Sequence, residues 1–332
     1  MKKIRSISII GDGGWGTTLA IHLARKNFPV TLWGPFPDYL QQINCTRMNI
    51  KFLPGIPIPL SVNLTSDLAM AVKNSELIVL AIPSQYFVEV LKKIKPVKSS
   101  ENIFLSVIKG IDYKTGLRMS QLIRRELSPV PTAVLSGPTI ALEVAKGIPT
   151  TAVVSSQDMR LAASIQKIFN SPTFRIYTNP DIIGVELGGS LKNIIAIACG
   201  VCDGLGFGTN AKAAILTRGL VEIARLGTTM GAKAKTFAGL TGLGDLVTTC
   251  VSPQSRNRSV GEQLGKGRSL LQIMENMNMV AEGVETVKAA YRLSRKYKIP
   301  MPITTEVYNI IYKQKPPQKA VNDLMTRQIK AE

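Results

Sequence analysis

The chain has a single histidine and only four cysteines among its 332 residues. The histidine, His22, falls in a predicted helix near the N-terminus, where we expect it to pack or to face solvent rather than act as a base. The cysteines, Cys45, Cys199, Cys202 and Cys250, are too few and too scattered for a disulfide framework. Cys199 and Cys202 have the spacing of half a zinc site, but no second pair accompanies them, so we expect no metal site.

The sequence also lacks a recognisable targeting or membrane-spanning segment. An apolar run at residues 7–10 follows the N-terminal lysines, but it is too short for a signal peptide and leads directly into a glycine-rich turn. We interpret a second apolar segment, residues 182–201, as too short and too interrupted by glycine to cross a membrane. We therefore expect a cytoplasmic protein with no membrane insertion.

Acidic residues are scarce relative to basic ones. The chain has 22 acidic and 41 basic residues, a formal net charge of +19. This balance favours anionic partners, such as phosphorylated metabolites, nucleic acid or a membrane surface. The basic residues are spread along the chain, however, and no nucleic-acid-binding motif occurs, so we expect no nucleic-acid partner.

A glycine-rich turn connects the first predicted strand, residues 4–10, to a helical pattern at residues 17–26. Gly11 permits a tight turn, Gly13 lets the backbone approach a pyrophosphate, and Gly16 lets the helix pack closely on the strand. The helix N-terminus adds amide donors and the positive end of its dipole. The alternative is a glycine turn with a structural role only. The complete turn reads Gly11-Asp12-Gly13-Gly14-Trp15-Gly16.

The chain is long enough for two domains. Strand patterns alternating with helical stretches predict an α/β fold with a doubly wound, Rossmann-like N-terminal domain over residues 1–178. Strand signals then largely disappear, and we predict an all-helical C-terminal domain over residues 179–332. The predicted strands are residues 4–10, 30–33, 77–82, 102–108, 132–135, 150–155 and 174–177.

The glycine-rich turn, between a strand and a helix, is typical of dinucleotide binding. The second predicted strand does not decide whether the dinucleotide is NAD or NADP. An acidic residue usually ends this strand and binds the ribose 2′-hydroxyl of NAD. Here the strand is followed by Gly34-Pro35-Phe36-Pro37, with neither an acid nor an arginine. Nothing local therefore repels or attracts the 2′-phosphate of NADP, and we expect both NAD and NADP to serve.

The most unusual segment runs from residue 182 to 201, where the only charged residues are Glu186 and Lys192. Such a helix is expected to be buried on all sides, and a lysine in a core is unusual unless it is paired or used. Small residues at the helical neighbours Gly188, Gly189 and Ala196 should leave space beside its ammonium. The alternative is a lysine that reaches solvent from a helix end.

Further polar residues lie where a doubly wound sheet binds ligands. Lys109 and the loop at residues 136–139 follow the carboxyl ends of predicted strands. In the helical part, Asp245 follows a glycine cluster. Ser255-Arg256-Asn257-Arg258 precedes a helical stretch and could hold a phosphate. The alternative for that segment is a capped surface helix.

Taken together, these motifs closely resemble the NAD(P)-dependent sn-glycerol-3-phosphate dehydrogenase family, bacterial type, over residues 7–287. The resemblance implies interconversion of sn-glycerol 3-phosphate and dihydroxyacetone phosphate, which supplies phospholipid synthesis. The motifs that carry it, in chain order, are Gly11–Gly16, residues 49–55, Pro83-Ser84, Lys109-Gly110, Ser136–Thr139, Glu186–Asn193, Asp203–Gly206, Gly242–Asp245, Ser255–Arg258 and Ala281–Gly283.

The resemblance also implies residue roles. Lys192 matches the catalytic lysine, and we expect Lys109 and Asp245 to act with it. The residues expected to bind the coenzyme are Gly11, Gly13, Gly14, Trp15, Gly16, Pro35, Lys109, Ala141, Arg256, Val280 and Glu282. Those expected to bind the substrate are Lys109, Gly137, Thr139, Lys192, Asp245, Ser255, Arg256 and Asn257.

Two residues depart from the family pattern. Gly14 stands where serine or alanine is frequent, and we expect this change only to loosen the turn. Pro35 stands where a basic residue commonly meets the adenosine phosphate, which puts a preference for NADP in doubt.

The expected chemistry needs a group that exchanges a proton with the substrate hydroxyl. With no usable histidine, Lys192 is the candidate; a nearby cation such as Lys109 would help, and Asp245 would orient it. Two alternatives stay open: a dehydrogenase for 3-hydroxy acids, and a non-catalytic redox sensor that binds dinucleotide. Retention of all three residues argues against the sensor. We also expect a homodimer, although no sequence pattern indicates one.

Overall fold

The computed structural model describes residues 4–275, 277 and 281–329. The chain divides into two compact units. The first comprises Met1–Lys109 and Leu117–Glu186, and the second comprises Gly110–Gly116 and Leu187–Glu332. The domain boundary that we placed after residue 178 stays a prediction.

The first unit contains an eight-stranded sheet with the order β3-β2-β1-β4-β5-β6-β7-β8. All neighbouring strands are parallel except β6 and β7, which pair antiparallel. The strands are β1 (Ile7–Ile10), β2 (Val30–Trp33), β3 (Val62–Thr65), β4 (Leu77–Leu80), β5 (Ile103–Ser106), β6 (Thr132–Ser136), β7 (Thr150–Ser156) and β8 (Phe174–Asn179). The strand order reverses between β1 and β4, which is where doubly wound folds bind their ligands.

Both faces of this sheet are covered by helices. On β1, Ile7 and Ile9 belong to one hydrophobic cluster, and Ile10 belongs to the cluster on the opposite face. Strands buried on both faces are therefore apolar at nearly every position. The helices are α1 (Gly14–Ala24), α2 (Pro37–Thr46), α3 (Leu68–Lys73), α4 (Phe87–Ile94), α5 (Met119–Leu127), α6 (Ala141–Ala145) and α7 (Met159–Phe169), with a 3₁₀ turn at Ser84–Tyr86.

The rest of the described chain is helical. A short π-helical turn at Leu240–Gly244 directly precedes α11. The helices are α8 (Ile182–Gly204), α9 (Thr209–Thr229), α10 (Ala234–Phe237), α11 (Asp245–Val251), α12 (Arg256–Gly265), α13 (Leu270–Glu275), α14 (Glu282–Lys296), α15 (Pro302–Lys313) and α16 (Pro317–Met325). The predicted fold class is thus confirmed: a Rossmann-like sheet domain followed by a helical domain.

Helix α8 contains the unusual apolar segment. At 23 residues it is, in the described part of the chain, the one helix long and apolar enough to cross a membrane. The expectation that this segment is too short to cross a membrane was therefore wrong. Its burial decides the matter instead, because 89% of its most apolar stretch is enclosed by the protein, as in the core helix of a soluble protein. The carboxylate of Glu186, near its start, pairs with Arg118 and accepts a hydrogen bond from the amide of Ser120 at 2.8 Å.

Candidate functional site

The glycine turn lies at the point where the strand order reverses. Gly11 follows β1 directly and has a φ of +124°, which only glycine adopts readily. A Cβ atom there would lie 2.5 Å from the carbonyl oxygen of Ala81, which follows β4. A Cβ atom on Gly16 would overlap the carbonyl oxygen of Gly11. Both glycines are therefore required for the turn and for the close approach of α1 to the sheet.

Gly13 is different, because no heavy atom lies within 4 Å of the position that its Cβ atom would occupy. It is the N-cap of α1, and as a glycine it has no side chain that could accept a hydrogen bond from the first amides of that helix. Open backbone beside uncapped amides fits an anionic pyrophosphate, which would accept those hydrogen bonds. The turn can therefore hold a dinucleotide.

Gly14 has a role beyond the loosening of the turn that we expected. A Cβ atom there would lie 2.6 Å from the carbonyl oxygen of Phe52, so glycine lets the loop at residues 49–55 approach the turn closely. Asn49 holds this loop in place, since its amide nitrogen donates to the carbonyl oxygen of Asp12 at 2.7 Å and to Oγ1 of Thr17 at 2.8 Å.

Two ring side chains of α1 pack inside the first unit. Trp15 meets the ring of Phe174 edge to face, with centroids 6.3 Å apart. His22 stacks on Phe169, and its Nε2 lies 2.7 Å from the carbonyl oxygen of that residue. Burial, opposed by this hydrogen bond, lowers the pKa of His22 from 6.5 to about 4. The imidazole is a packing group, as one of our two alternatives for it expected.

The end of β2 has an acidic neighbour that the sequence analysis missed. The carboxyl group of Asp12 packs against Gly34, where a Cβ atom would overlap Oδ2 and lie 2.5 Å from Cγ. Asp12 is buried, and its burial raises the pKa of the carboxyl group, with Lys51 acting in the opposite direction. Pro35, the next residue, is exposed. Local pattern could not show that a side chain from the first turn reaches the second strand.

The predicted strand-end residues of β5 and β6 are close together. The ammonium of Lys109 donates to the carbonyl oxygen of Gly137 at 2.7 Å and to Oγ1 of Thr139 at 3.1 Å. Gly137 has a φ of +140°, and a Cβ atom there would lie 3.0 Å from Cα of Ala152. Its glycine is therefore needed for the carbonyl group to face the lysine.

Ala141, a predicted coenzyme contact, begins helix α6. Its carbonyl oxygen accepts a hydrogen bond of 3.1 Å from Oγ1 of Thr18 in α1. A Cβ atom on Gly14 would lie 3.9 Å from Cβ of Ala141. The structure thus places Ala141 beside the glycine turn.

In the second unit, Lys192 is buried in α8 and forms an ion pair with Asp245, the first residue of α11. The exposed fractions of the two side chains are 5% and 1%. The lysine also donates to Oγ1 of Thr249 at 2.7 Å, and this hydroxyl donates to the carbonyl oxygen of Asp245 at 2.6 Å. Lys192 is therefore a paired, buried cation and does not extend to solvent from a helix end.

Gly188 does not add to the space that we expected beside the ammonium of Lys192, because the position of its own missing side chain is filled by protein. A Cβ atom on Gly188 would overlap the carbonyl oxygen of Thr241, in the π-helical turn. The small residue allows that turn to approach α8, and Asp245 directly follows the turn. Gly188 therefore serves to bring the carboxylate to Lys192 rather than to leave room for a ligand.

The predicted phosphate-binding segment forms the start of α12. Ser255 is its N-cap, and its hydroxyl oxygen accepts a hydrogen bond of 3.2 Å from the amide of Arg258. Arg256 is exposed, whereas Asn257 is buried and its Oδ1 accepts from the amide of Gly283 at 2.9 Å. This bond joins α12 to α14, which begins at Glu282. Val280 lies outside the described residues.

Glycines also set the packing of α12 on α8. Cβ atoms on Gly200 and Gly261 would overlap the carbonyl oxygens of Arg258 and Ile197, respectively. The two helix backbones are therefore in direct contact. Arg258 adds an ion pair, with its Nε 2.7 Å from the carboxylate of Asp203 in α8. The start of α12 is thereby fixed relative to the helix that carries Lys192.

Thr249 is the polar contact of Lys192 that sequence reasoning missed. The spacing of the two residues could have indicated this contact, because Thr249 lies four residues after Asp245 and therefore on the same face of a helix. The sequence does not mark Asp245 as the start of a helix, since the preceding residues form a glycine-rich π turn.

The chain is similar to known proteins in its family, in its sequence and in its structure. Residues 6–162 match the family model described as NAD-dependent glycerol-3-phosphate dehydrogenase N-terminus, and residues 181–322 match the corresponding C-terminus model. Together these models cover most of the chain.

Individual proteins are similar over nearly their full length. Proteins named glycerol-3-phosphate dehydrogenase (NAD(P)+) include one from Chlorobium phaeobacteroides (strain BS1), 47% identical over 98% of this chain and 98% of the relative. Another, from Bacillus pumilus (strain SAFR-032), is 46% identical over 98% of this chain and 95% of the relative. The crystal structure of glycerol-3-phosphate dehydrogenase (gpsA) from Coxiella burnetii superposes with a TM-score of 0.95, at 38% identity, over 97% of this chain and 99% of that one.

Proposed function

Because this chain belongs to the NAD-dependent glycerol-3-phosphate dehydrogenase family, we propose that its own residues interconvert sn-glycerol 3-phosphate and dihydroxyacetone phosphate with NAD(P). The observation that carries the proposal is the buried ion pair of Lys192 with Asp245, joined by Thr249. It provides a fixed proton donor in a protein whose one histidine is used for packing.

We assign coenzyme binding mainly to the first unit. The open backbone at Gly13 and the amides that begin α1 would hold the pyrophosphate. The other coenzyme residues in this assignment are Gly11, Gly14, Trp15, Gly16, Pro35, Lys109, Ala141, Arg256, Val280 and Glu282. When bound, the nicotinamide accepts or supplies the hydride.

Lys192 is the proposed proton-transfer residue. In the reducing direction its ammonium gives a proton to the carbonyl oxygen of dihydroxyacetone phosphate, and in the oxidising direction the amine takes the hydroxyl proton. The carboxylate of Asp245 forms an ion pair with this ammonium and holds it in place. Thr249 fixes a second direction of the ammonium through its 2.7 Å hydrogen bond.

The substrate phosphate is assigned to the start of α12, which presents Ser255, Arg256 and Asn257. An exposed arginine beside a helix N-terminus offers a charge-assisted contact to a phosphate group. In the first unit, Lys109 with Gly137 and Thr139 supplies the other polar contacts with the substrate in this proposal.

The decisive test is turnover, followed by the absorbance of NADH or NADPH with dihydroxyacetone phosphate as substrate and a 3-oxo acid as the control. Activity with the phosphate compound alone supports the proposal, and activity with the oxo acid alone favours the alternative dehydrogenase. Coenzyme binding without turnover of either compound favours a redox sensor.

The role of Lys192 has its own test. Lys192→Arg keeps the positive charge but replaces the amine with a guanidinium that does not exchange its proton near neutral pH. We expect kcat to fall by at least about a hundredfold. An arginine variant that melts normally and keeps most of its activity would remove Lys192 from the chemistry.

We further propose that the protein is a cytoplasmic homodimer whose product supplies phospholipid synthesis, with a coenzyme domain up to residue 178 and a catalytic domain from residue 179. Light scattering of the purified protein tests the assembly, since a monomeric mass at working concentration contradicts it. Separate expression of residues 1–178, followed by measurement of NADH binding, tests the boundary.

A further inference from the structure

We infer that Asp12 makes the coenzyme site favour NADH over NADPH, by placing a buried negative charge behind Gly34 at the end of β2. The inference rests on the proposed binding of the coenzyme at the glycine turn. Asp12 belongs to none of the sets of site residues named above. The inference differs from the expectation that nothing near the second strand repels a 2′-phosphate.

The position of the adenosine ribose follows from the fold. In doubly wound domains the ribose lies at the carboxyl end of the second strand, where an acid binds the 2′-hydroxyl or an arginine accepts the 2′-phosphate. Strand β2 ends at Trp33, and Gly34 and the exposed Pro35 come next. The chain thus has no charged side chain of its own at these positions.

The carboxyl group of Asp12 fills the space that such a side chain would need. A Cβ atom built on Gly34 would overlap Oδ2 of Asp12 and lie 2.5 Å from its Cγ. Glycine at residue 34 therefore allows the carboxyl group to lie directly against the backbone of the strand end. The carbonyl group of Asp12 is fixed by the 2.7 Å hydrogen bond from Asn49, which holds the residue in this position.

The carboxyl group is enclosed rather than exposed to ligand. Asp12 is 7% exposed, and its Oδ2 is a buried atom with no hydrogen-bond partner in the described structure. It would therefore act through its charge and not through contact. A charge surrounded by protein is screened less than a charge in water, so its effect on a nearby phosphate is stronger.

The charge distinguishes the two coenzymes because only NADPH carries a phosphate on this ribose. The hydroxyl group of NADH is neutral and is not repelled. Burial raises the pKa of this carboxyl group, and its backbone hydrogen bond and Lys51 act in the opposite direction. In its ionised form the carboxylate repels a 2′-phosphate from the first turn rather than from the second strand.

Asp12→Asn removes the charge while keeping the shape of the side chain. Equilibrium titrations with NADH and NADPH, followed by coenzyme fluorescence, give both dissociation constants without turnover. We expect the ratio of Kd for NADPH to Kd for NADH to fall by about tenfold. The Kd for NADH should change by less than about threefold. Asp12→Ala, which also removes the charge, should shift the ratio in the same direction.

The matched control is Asp38→Asn, an exposed acid in the first turn of α2, which follows the same strand end. We expect it to leave the ratio unchanged. An unchanged ratio in both Asp12 variants, a shift of equal size in the Asp38 variant, or equal loss of both coenzymes from a variant that melts normally would each overturn the inference. Failure of the wild-type protein to bind either coenzyme would instead contradict the proposed function.

Discussion

The ion pair of Lys192 and Asp245 makes it possible to separate what a buried pair does for folding from what it does for catalysis. The variants are Lys192→Met, Asp245→Leu and the combination of both. With exposed fractions of 5% and 1%, neither side chain has access to much water. Removing one partner therefore leaves the other as a buried charge without its counter-charge, which typically costs about 3–5 kcal/mol.

The double variant should behave differently in unfolding experiments. Two apolar residues of similar volume replace the pair and leave no isolated charge, and such replacements are often neutral or even stabilising. We expect each single variant to lower the free energy of unfolding by about 3–5 kcal/mol, and the double variant to recover most of that loss. Denaturant unfolding of the four proteins, with the slope of each transition checked for two-state behaviour, measures the effect.

Catalysis should not recover with stability. Both variants that lack Lys192 have lost the proton donor, so kcat should stay at least about a hundredfold below that of the wild type. Thr249→Val is the control, because it leaves the ion pair intact. It removes the charge-assisted hydrogen bond of 2.7 Å from the ammonium and the bond of the hydroxyl group to the carbonyl oxygen of Asp245, and it should cost about 1.5–3 kcal/mol. A double variant as unstable as the sum of the singles, or one with recovered kcat, would refute this reasoning.

Three further predictions concern other parts of the molecule. Arg256→Ala should weaken binding of dihydroxyacetone phosphate by about 1.5–3 kcal/mol, with only partial rescue by lysine; unchanged substrate kinetics would exclude this contact. Because burial lowers the pKa of His22 from 6.5 to about 4, the unfolded chain takes up the proton first as pH falls. The free energy of unfolding should therefore fall by up to about 3 kcal/mol as the pH is lowered from 6.5 to 4. Denaturant unfolding at the two pH values measures this loss, and the His22→Gln variant should not show it. Gly261→Ala would place a methyl group on the carbonyl oxygen of Ile197 and should cost about 1–3 kcal/mol in stability. Gly208→Ala, which meets no atom within 4 Å, should cost less than about 1 kcal/mol; equal losses in the two glycine variants would contradict the packing argument.

The elements that could be predicted from sequence are those whose signal is local. The apolar run before Gly11 predicts β1, and the spacing of the glycines predicts both the turn and the start of α1. Strand β3 (Val62–Thr65) was missed, because only its first residue is buried and it pairs with β2 alone at the sheet edge. Helix α2 was missed although its signal was present: Pro37 occupies the first turn, where proline is favoured.

The site divides in a similar way. The unusual burial of Lys192 could be read from the apolar residues around it, whereas its pairing with Asp245 crosses 53 positions of sequence. The resemblance supplied that pair, but not its geometry. Gly188 illustrates the difference: its small size suggested space for a ligand, and the structure shows that a backbone carbonyl group takes the space. A glycine in the sequence indicates that another group approaches the backbone closely, but it does not show whether that group is a ligand or another part of the chain.

The helical part of the site is held together by direct contacts between backbone atoms. Gly188, Gly200 and Gly261 each face a backbone carbonyl oxygen of another segment, so no side chain separates the π turn or α12 from α8. Backbone contacts cannot be repacked by rotamer changes as side-chain contacts can, and an added methyl group must move a whole element. The positions of Asp245 and of the start of α12 relative to Lys192 are therefore set by residues that touch no ligand. We therefore expect a substitution of exposed Arg256 to disturb the fold less than an alanine at any of these glycines.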